Sequence, residues 1–572
     1  LIDLKMYSVF RNLFMCNSRV LTSVEKEGLY LDTEFNQKLL EEYKPKIDAA
    51  RQAIYDLPRV KKFTKKFNQQ KIEKYIESIE AELEELDYND PKDKRKIDSR
   101  EQKISNIRAG IFTTKKEQEL IRPLNLGSPV DLPQLMYSDS GFKFPVIKNN
   151  ESGKPSTDED TLVELRLTVK DPESPKAIFL DKLLELRGLQ KMYTTYIEGW
   201  HEKVQDDSRL HGRYNIHGTD SNRFSSADPN MQQIPKTSVD PNIKKQLVAP
   251  PGYLYMAFDY SQAELRMMAH LSGDETYLEA FAKGVDPHLG IAAAKYGVSI
   301  EEASKAYEDE THPDYKLWKV RRKQAKQIAF GLIYGIGNKL LAVKLSDPKA
   351  GIIVTPEEAA KEMEVFFGQH PKIRKFKEKQ EKFLRKHGYY TQLFGTKRRL
   401  PQIYSNDKQE VAYAIRLGLN FPCQGAAANM TNFGAILVYW LMRQGKLPMM
   451  KEACTVHDAV YMYSKPQDIN TWTVYTIWNI LRNPSTKRYF GFQVDDVDMD
   501  MDFTIGRTMA EELPFIPGYD YNKMLQPDFS VEEYMAEHKK YKHIHIKQFK
   551  ERFNKQMKAY EKDFERTHDL PS

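Results

Sequence analysis

The chain has 572 residues, with 87 Lys and Arg against 81 Asp and Glu, a formal charge of +6 and 40% apolar residues. That length exceeds one hydrophobic core and predicts several domains, while no run of about 18 apolar residues marks a membrane span. Three cysteines (Cys16, Cys423, Cys454) are too few for a disulfide framework or a four-cysteine zinc site, so a reducing, cytoplasmic setting is expected.

The first residue is Leu1 and no leader pattern opens the chain, so it is expected to begin inside a longer reading frame or to have had its beginning trimmed. Residues 1–57 read as helices broken near Gly28. A basic cluster follows at Arg59, Lys61, Lys62, Lys65 and Lys66. Ile72, Ile76, Ile79, Leu83 and Leu86 then recur at alternating steps of four and three, a coiled-coil-like seam. Asn89, Asp90 and Pro91 break it, and Ile97, Ile104, Ile107 and Ile111 form a second series. Together they predict a helical hairpin over about 61–111, which read alone is a spacer with solvated charges. Residues 123–160 are rich in Pro, Gly, Ser and Asn and read as loop; 161–202 read as helix. Leu210–Tyr214 and Tyr253–Phe258 read as strands, and helical patterns dominate from Gln262 to Gly388. Cys454–Val456 and Ala459–Tyr463 read as strands around His457 and Asp458. Asp498, Asp500 and Asp502 alternate with apolar residues as on a half-buried strand with a solvated face, so no metal role is assigned to them. A basic amphipathic helix closes the chain, with Ile546, Phe549, Phe553, Met557, Tyr560 and Phe564 on one stripe.

Three constellations carry chemistry. The apolar strand Tyr253–Phe258 runs into Asp259, and a helix with Ala263, Leu265, Met268 and Ala269 begins just beyond. Alone, Asp259 reads as a helix N-cap. Asp458 sits at a tight turn between two apolar strands, and alone it reads as an ordinary polar turn. Taken together, two strand-held carboxylates suit a pair of hard cations of the kind that serve phosphoryl transfer. The third constellation is Arg322, Lys326, Phe330 and Tyr334, each four residues apart and therefore on one slowly drifting helix face. Two cations followed by two aromatics suit the phosphates and base of a nucleoside triphosphate, with Gly331 and Gly335 clearing space beside the rings. A basic solvated edge would explain the cations but not the aromatics.

FDYSQAELR at 258–266, RRKQAKQIAFGLIYG at 321–335 and TVHDAV at 455–460 resemble motifs A, B and C of family A DNA polymerases, in the right order. SNRFSSADPNMQQIP at 221–235, RLGLNFPCQGAAA at 416–428 and GKPSTDEDTLVEL at 153–165 agree with this. The similarity runs from about Tyr7 to Glu512, except for about 57–122. The resemblance implies an α+β right-hand fold with an antiparallel palm sheet and helical fingers and thumb. It divides the chain into a thumb at 1–200 with the hairpin inserted at about 57–122, palm at 201–264, fingers at 265–415, palm again at 416–512 and a basic extension at 513–572.

The resemblance also implies a template-directed DNA polymerase that adds dNTPs to a primer 3′-hydroxyl and releases pyrophosphate. Asp259, Asp458 and the Tyr260 carbonyl would hold two Mg²⁺, for which Mn²⁺ can substitute. Arg322, Lys326 and His288 would bind the triphosphate, and Lys326 would protonate pyrophosphate. Phe330 would pack on the sugar and base, and Tyr334 would stack near the templating position. Glu264 would occupy the space of a ribose 2′-hydroxyl, with Gln262 assisting. Arg223, Arg416, Asn420, Gln424 and His457 would lie near the nascent base pair. Of these, Arg223 and Gln424 would read minor-groove acceptors shared by all pairs.

Departures from the family pattern are Thr455 in place of a common Gln, Ala459 in place of a common Glu, Asn429 in place of a common Asp, and rearranged basic residues at Lys236, Lys244 and Lys245. No acidic exonuclease constellation precedes the thumb, so proofreading is not expected of this segment. The insertion and the basic extension are expected to grip DNA or meet a processivity or replisome partner, as in a phage-like replicative member acting in its host's cytoplasm. Two rivals remain: a single-subunit RNA polymerase, opposed by Glu264 and the 221–235 match, and a silent DNA-binding processivity protein, opposed by the intact Asp259, Asp458, Arg322 and Lys326 set.

Overall fold

The computed structural model describes residues 6–346, 353–456 and 458–541. His457 and the apolar stripe of the terminal helix, Ile546 to Phe564, lie outside the described residues. By packing, the described residues form two compact units, one built chiefly of 41–193 and one built chiefly of 6–40, 194–345 and 354–541. Residues 6–40, which the sequence groups with the thumb, therefore pack with the sheet-bearing unit.

In the Glu41–Tyr193 unit, helix α1 (Pro58–Glu84) starts at a proline in its first turn, where a missing N–H costs nothing. Helix α2 (Pro91–Arg108) starts the same way, with the Asp90 carboxylate accepting from the Lys92 N–H. The hairpin expected from the isoleucine seams forms, and Ile76, Ile79, Leu83, Ile97, Ile104 and Ile107 make its own core. Ile111 stands outside that core at 53% exposure, and Phe112 packs there instead. The base of α1 belongs to a second core, where Val60 and Phe63 join Leu132, Leu135, Phe179 and Leu183. The stretch 123–160 is not all loop, since Asp131–Tyr137 is helical and buries Leu132, Leu135 and Met136.

The other unit is organised by one antiparallel sheet. Its strands are β1 (Leu254–Tyr260), β2 (Lys451–Val456), β3 (Ala459–Ser464), β4 (Met501–Gly506) and β5 (Leu513–Pro514), in spatial order β5-β4-β1-β3-β2. The central strand β1 is covered on both faces, which explains its unbroken apolar run. Phe258 stacks on Phe503 at 4.5 Å, and the Tyr255 and Tyr463 hydroxyls hydrogen-bond at 3.2 Å. The expected strand at 210–214 is two short strands, Arg209–Leu210 and Arg213–Asn215. The stretch read as an extension from 513 begins as the edge strand β5, and the Tyr534 hydroxyl donates to the Pro514 carbonyl at 2.7 Å.

Six helices of this unit matter for the site: α3 (Ala263–Ser272), α4 (Pro287–Tyr296), α5 (Tyr315–Ile333), α6 (Pro356–Gln369), α7 (Pro371–His387) and the 36-residue α8 (Lys408–Arg443). Leu265, Met268, Ile328, Leu332, Phe366, Ile373 and Cys423 join five of them in one core. Among the described residues no helix is long and apolar enough to cross a membrane.

Candidate active site

Asp259 lies within β1, one residue before its end, with Ala459 of β3 opposite on one side and Asp502 of β4 on the other. It is not a helix cap. The residue before α3 is Gln262, in the left-handed region at φ 59° and without a side-chain cap bond. Asp458 occupies the turn between β2 and β3, adjacent in sequence to the residue that faces Asp259. The Asp259 carboxyl is pushed up to about 6, first by burial, then by the negative charges of Asp458 and Asp502, against Lys236 and Lys244. Asp259 nonetheless stays open to solvent near the end of its strand, so the pair repel each other where a divalent cation can enter and relieve that repulsion. Two carboxylates with a neighbouring main-chain carbonyl are the hard oxygen donors that Mg²⁺ prefers. The donor set therefore fits the expected metal. The Tyr260 side chain is held in place by its hydroxyl, which donates to the Leu481 carbonyl.

One guanidinium links this centre to α3. Arg223 donates through Nη2 to Glu264 and, at 3.4 Å, to Oδ1 of Asp458. Glu264 is 7% exposed. Burial pushes its carboxyl up to about 7, with Arg223 opposing and Asp458 adding to the rise. Oε1 of Gln262 is buried nearby with no partner among the described residues.

The row on α5 forms as its spacing predicts. The Phe330 ring lies 5.9 Å from Tyr334 and 5.6 Å from His288 of α4. The Lys326 ammonium is 5.5 Å from the Phe330 ring. Burial, Lys236 and Arg322 depress its pKa. His288 is fully buried, neither ring nitrogen has a partner among the described residues, and burial lowers it to about 4. Arg322 is held by Asp286, whose Oδ2 accepts from Nε at 2.9 Å and Nη2 at 2.5 Å. The Oδ1 atom of the same carboxylate caps α4 through the His288 and Leu289 N–H groups. Gly331 does not clear space for the rings as expected, since a Cβ there would meet the Ile336 side chain at 2.8 Å. Gly335 does adopt φ +72°, which ends the helix.

Arg416, Asn420 and Gln424 recur every four residues on α8 and so share a face. Gly335 approaches the Arg416 stem, with a Cβ there 3.6 Å away. Thr455 is matched by Gln232, whose Nε2 donates to its carbonyl at 2.5 Å and its hydroxyl at 3.0 Å. The solvated face expected of Asp498 and Asp500 is partly an ion-paired one. Arg482 donates to Asp498, and Arg266 lies 3.8 Å from Asp500. The β4 strand itself begins only at Met501. Nothing in the local sequence marks Asp286 as the partner of Arg322 or Asp502 as the neighbour of Asp259. Lys236, in the sequence only one of the rearranged basic residues, acts on both Asp259 and Lys326.

A family model described as DNA polymerase family A matches residues 92–511. The chain is similar to DNA polymerase I of Pseudomonas aeruginosa, 34% identical over 324 residues that cover 56% of this chain and 32% of that protein. It is similar to the thermostable DNA polymerase I of Thermus aquaticus, 32% identical over 364 residues, 63% of this chain and 39% of that one. The chain thus spans about a third of the length of the curated relatives it matches. Among solved structures it is similar to the POL domain of Pol1 from M. smegmatis in complex with DNA primer-template and dNTP. There the TM-score is 0.65 and the identity 24%, over 90% of this chain and 72% of that chain. This likeness shows the fold expected from the sequence, an antiparallel sheet with helical subdomains.

Proposed function

Because the chain belongs to DNA polymerase family A, we propose that it is a DNA-directed DNA polymerase extending a primer on a DNA template. The observation that supports this most is the repelling pair Asp259 and Asp458 at one end of the central strands, in a chain whose α5 and the Tyr334 that caps it align two cations and two aromatics. Asp259, Asp458 and the Tyr260 carbonyl would hold two divalent cations, Mg²⁺ with Mn²⁺ as a substitute. When bound, these ions lower the pKa of the primer hydroxyl and neutralise the leaving pyrophosphate.

The chain's own residues do the rest. Arg322 and Lys326 bind the triphosphate, and Arg322 exchanges the Asp286 carboxylate for a phosphate. His288, neutral near pH 7, donates one N–H. Lys326, its ammonium made more acidic by burial and by its cationic neighbours, gives a proton to pyrophosphate. Phe330 and Tyr334 pack on the incoming nucleotide and the templating position. Glu264, fixed by Arg223, excludes a 2′-hydroxyl with Gln262 beside it. Arg223, Arg416, Asn420, Gln424 and His457 contact the primer-template.

Extension of a labelled primer with Mg²⁺, comparing dNTPs with rNTPs and wild type with Asp458→Asn, tests the reading. Extension with dNTPs alone, lost in the variant, is the expected result. Extension with rNTPs would move the chain to the RNA polymerase reading. Binding without extension would leave a silent scaffold.

A further inference from the structure

Helix α7 carries a feature that the active site does not use. Lys372, Lys375, Lys379, Lys382 and Lys386 recur at steps of three, four, three and four, and all are exposed. At about 100° per residue they fall within about 80° of arc, one stripe along the helix. The opposite face buries Ile373, Gln380 and Leu384. Lys372 pairs with Glu275 at 2.5 Å. Among the described residues the other four form no ion pair, although the helix pairs Arg374 with Glu364 and Arg385 with Glu381. Like charges three and four residues apart repel, and the one acidic residue at those spacings from any of the five is Glu378, beside Lys375 and Lys382, so the stripe as a whole works against the helix it sits on. A merely solvated face would alternate its signs.

The stripe ends among exposed rings. Phe383 is 37% exposed and Tyr404 61%. Phe383 lies 4.4 Å from the His387 ring and 5.7 Å from Tyr389. Lys397, on the adjoining hairpin of Tyr389–Thr391 and Lys397–Arg399, stands 5.5 Å from the Tyr389 ring. The patch adjoins elements that carry site residues. Leu384 packs with Leu400, Ile403 and Ala414 of α8, and Lys377 of α7 donates to the Leu332 carbonyl at the end of α5.

We propose that this face of α7, with Phe383 and Tyr404 at its end, is a binding surface for single-stranded DNA. Lys375 to Lys386 spans about 16 Å of helix axis, enough to face about five phosphates of a stacked strand. The exposed rings offer stacking to unpaired bases, a contact that a duplex, with its bases already stacked, does not use. Which strand binds rests on the polymerase reading: it is the unpaired template ahead of the nascent pair.

The test is binding by the full chain, read by fluorescence anisotropy of a labelled 20-nucleotide single strand and of a blunt hairpin duplex across a salt series. The variant is K375Q/K379Q/K382Q/K386Q, whose positions are exposed. Loss of four phosphate contacts should reduce the single-strand salt slope by about 3. F383A/Y404A should weaken single-strand binding about tenfold with the slope unchanged. Duplex binding should be unaffected in both. An unchanged slope, or an equal loss on the duplex, overturns the proposal. An unchanged slope accompanied by lost binding of an acidic peptide would assign the stripe to a protein partner instead. Because no catalysis is read, failure here is separable from failure of primer extension.

Discussion

Replacing Arg223 by Met should destabilise the protein by an amount that depends on pH, and Glu264 sets that dependence. A free glutamate releases its proton near 4.5, whereas burial holds the proton on Glu264 up to about 7. Between those values the native state keeps a proton that the unfolded chain has lost, so stability falls as pH rises. In the wild type the fall ends at about 7, where Glu264 ionises against Arg223. Without the guanidinium the carboxyl stays neutral, and the fall continues. One pH unit corresponds to about 1.4 kcal/mol. The Glu264 part of the loss is therefore about 1.4 kcal/mol at pH 8 and about zero at pH 6. Arg223 also touches Asp458, so a double-mutant cycle is needed to isolate the pair. Wild type, R223M, E264Q and R223M/E264Q would be unfolded in denaturant at both pH values. A coupling near 1.4 kcal/mol at pH 8 that vanishes at pH 6 is expected. A coupling equal at the two pH values would refute the reasoning.

Three further outcomes are expected. Burial depresses the Lys377 ammonium to about 8 from 10.5, so between those values the unfolded chain holds a proton that the native state has released; the melting-temperature advantage of wild type over K377M should grow as pH rises through that window, and a constant advantage would count against it. Glu264→Ala should lower discrimination against ribonucleotides in single-nucleotide incorporation by on the order of 10–100-fold, the relief of about 1–3 kcal/mol of overpacking. Replacing 72–112 by a short Gly-Ser link removes a core that the hairpin keeps to itself; the melting temperature should stay within a few degrees, while product length per binding event, read with a DNA trap, should shorten, and an unchanged length would refute the grip on DNA that the sequence leads one to expect of the insertion.

Local pattern carried far in this chain. The two strands around Asp458 and the central strand before Asp259 are apolar runs bounded by polar turns, and all three form. The four-residue row on α5 is a helix face and needs no tertiary knowledge to be seen. What the sequence concealed depends on partners distant along the chain. Asp286 serves Arg322 36 residues away, and Asp498 serves Arg482 from the irregular segment that precedes β4. Asp502 faces Asp259 only because β4 pairs with β1 in that register. The helix Asp131–Tyr137 was hidden by Pro133, which a first turn tolerates. Gly331 makes room for Ile336 rather than for the rings, because Ile336, five residues on, folds back over it.

The membership of α1 in two cores has a mechanical meaning. Its base is clamped at Val60 and Phe63 and its outer half at Ile76 to Leu83, with 27 residues of unbroken helix between the ends. Such a rod is about 40 Å long. No glycine interrupts it and no proline lies beyond its first turn, so nothing along its length absorbs bending. A load applied at the hairpin tip, near Tyr88, is therefore carried as torque to the packing around Val60 and Phe63. The insertion behaves as a lever arm whose strain is read at its root, and a single-molecule force probe attached at the tip would report on the core of the unit that bears it.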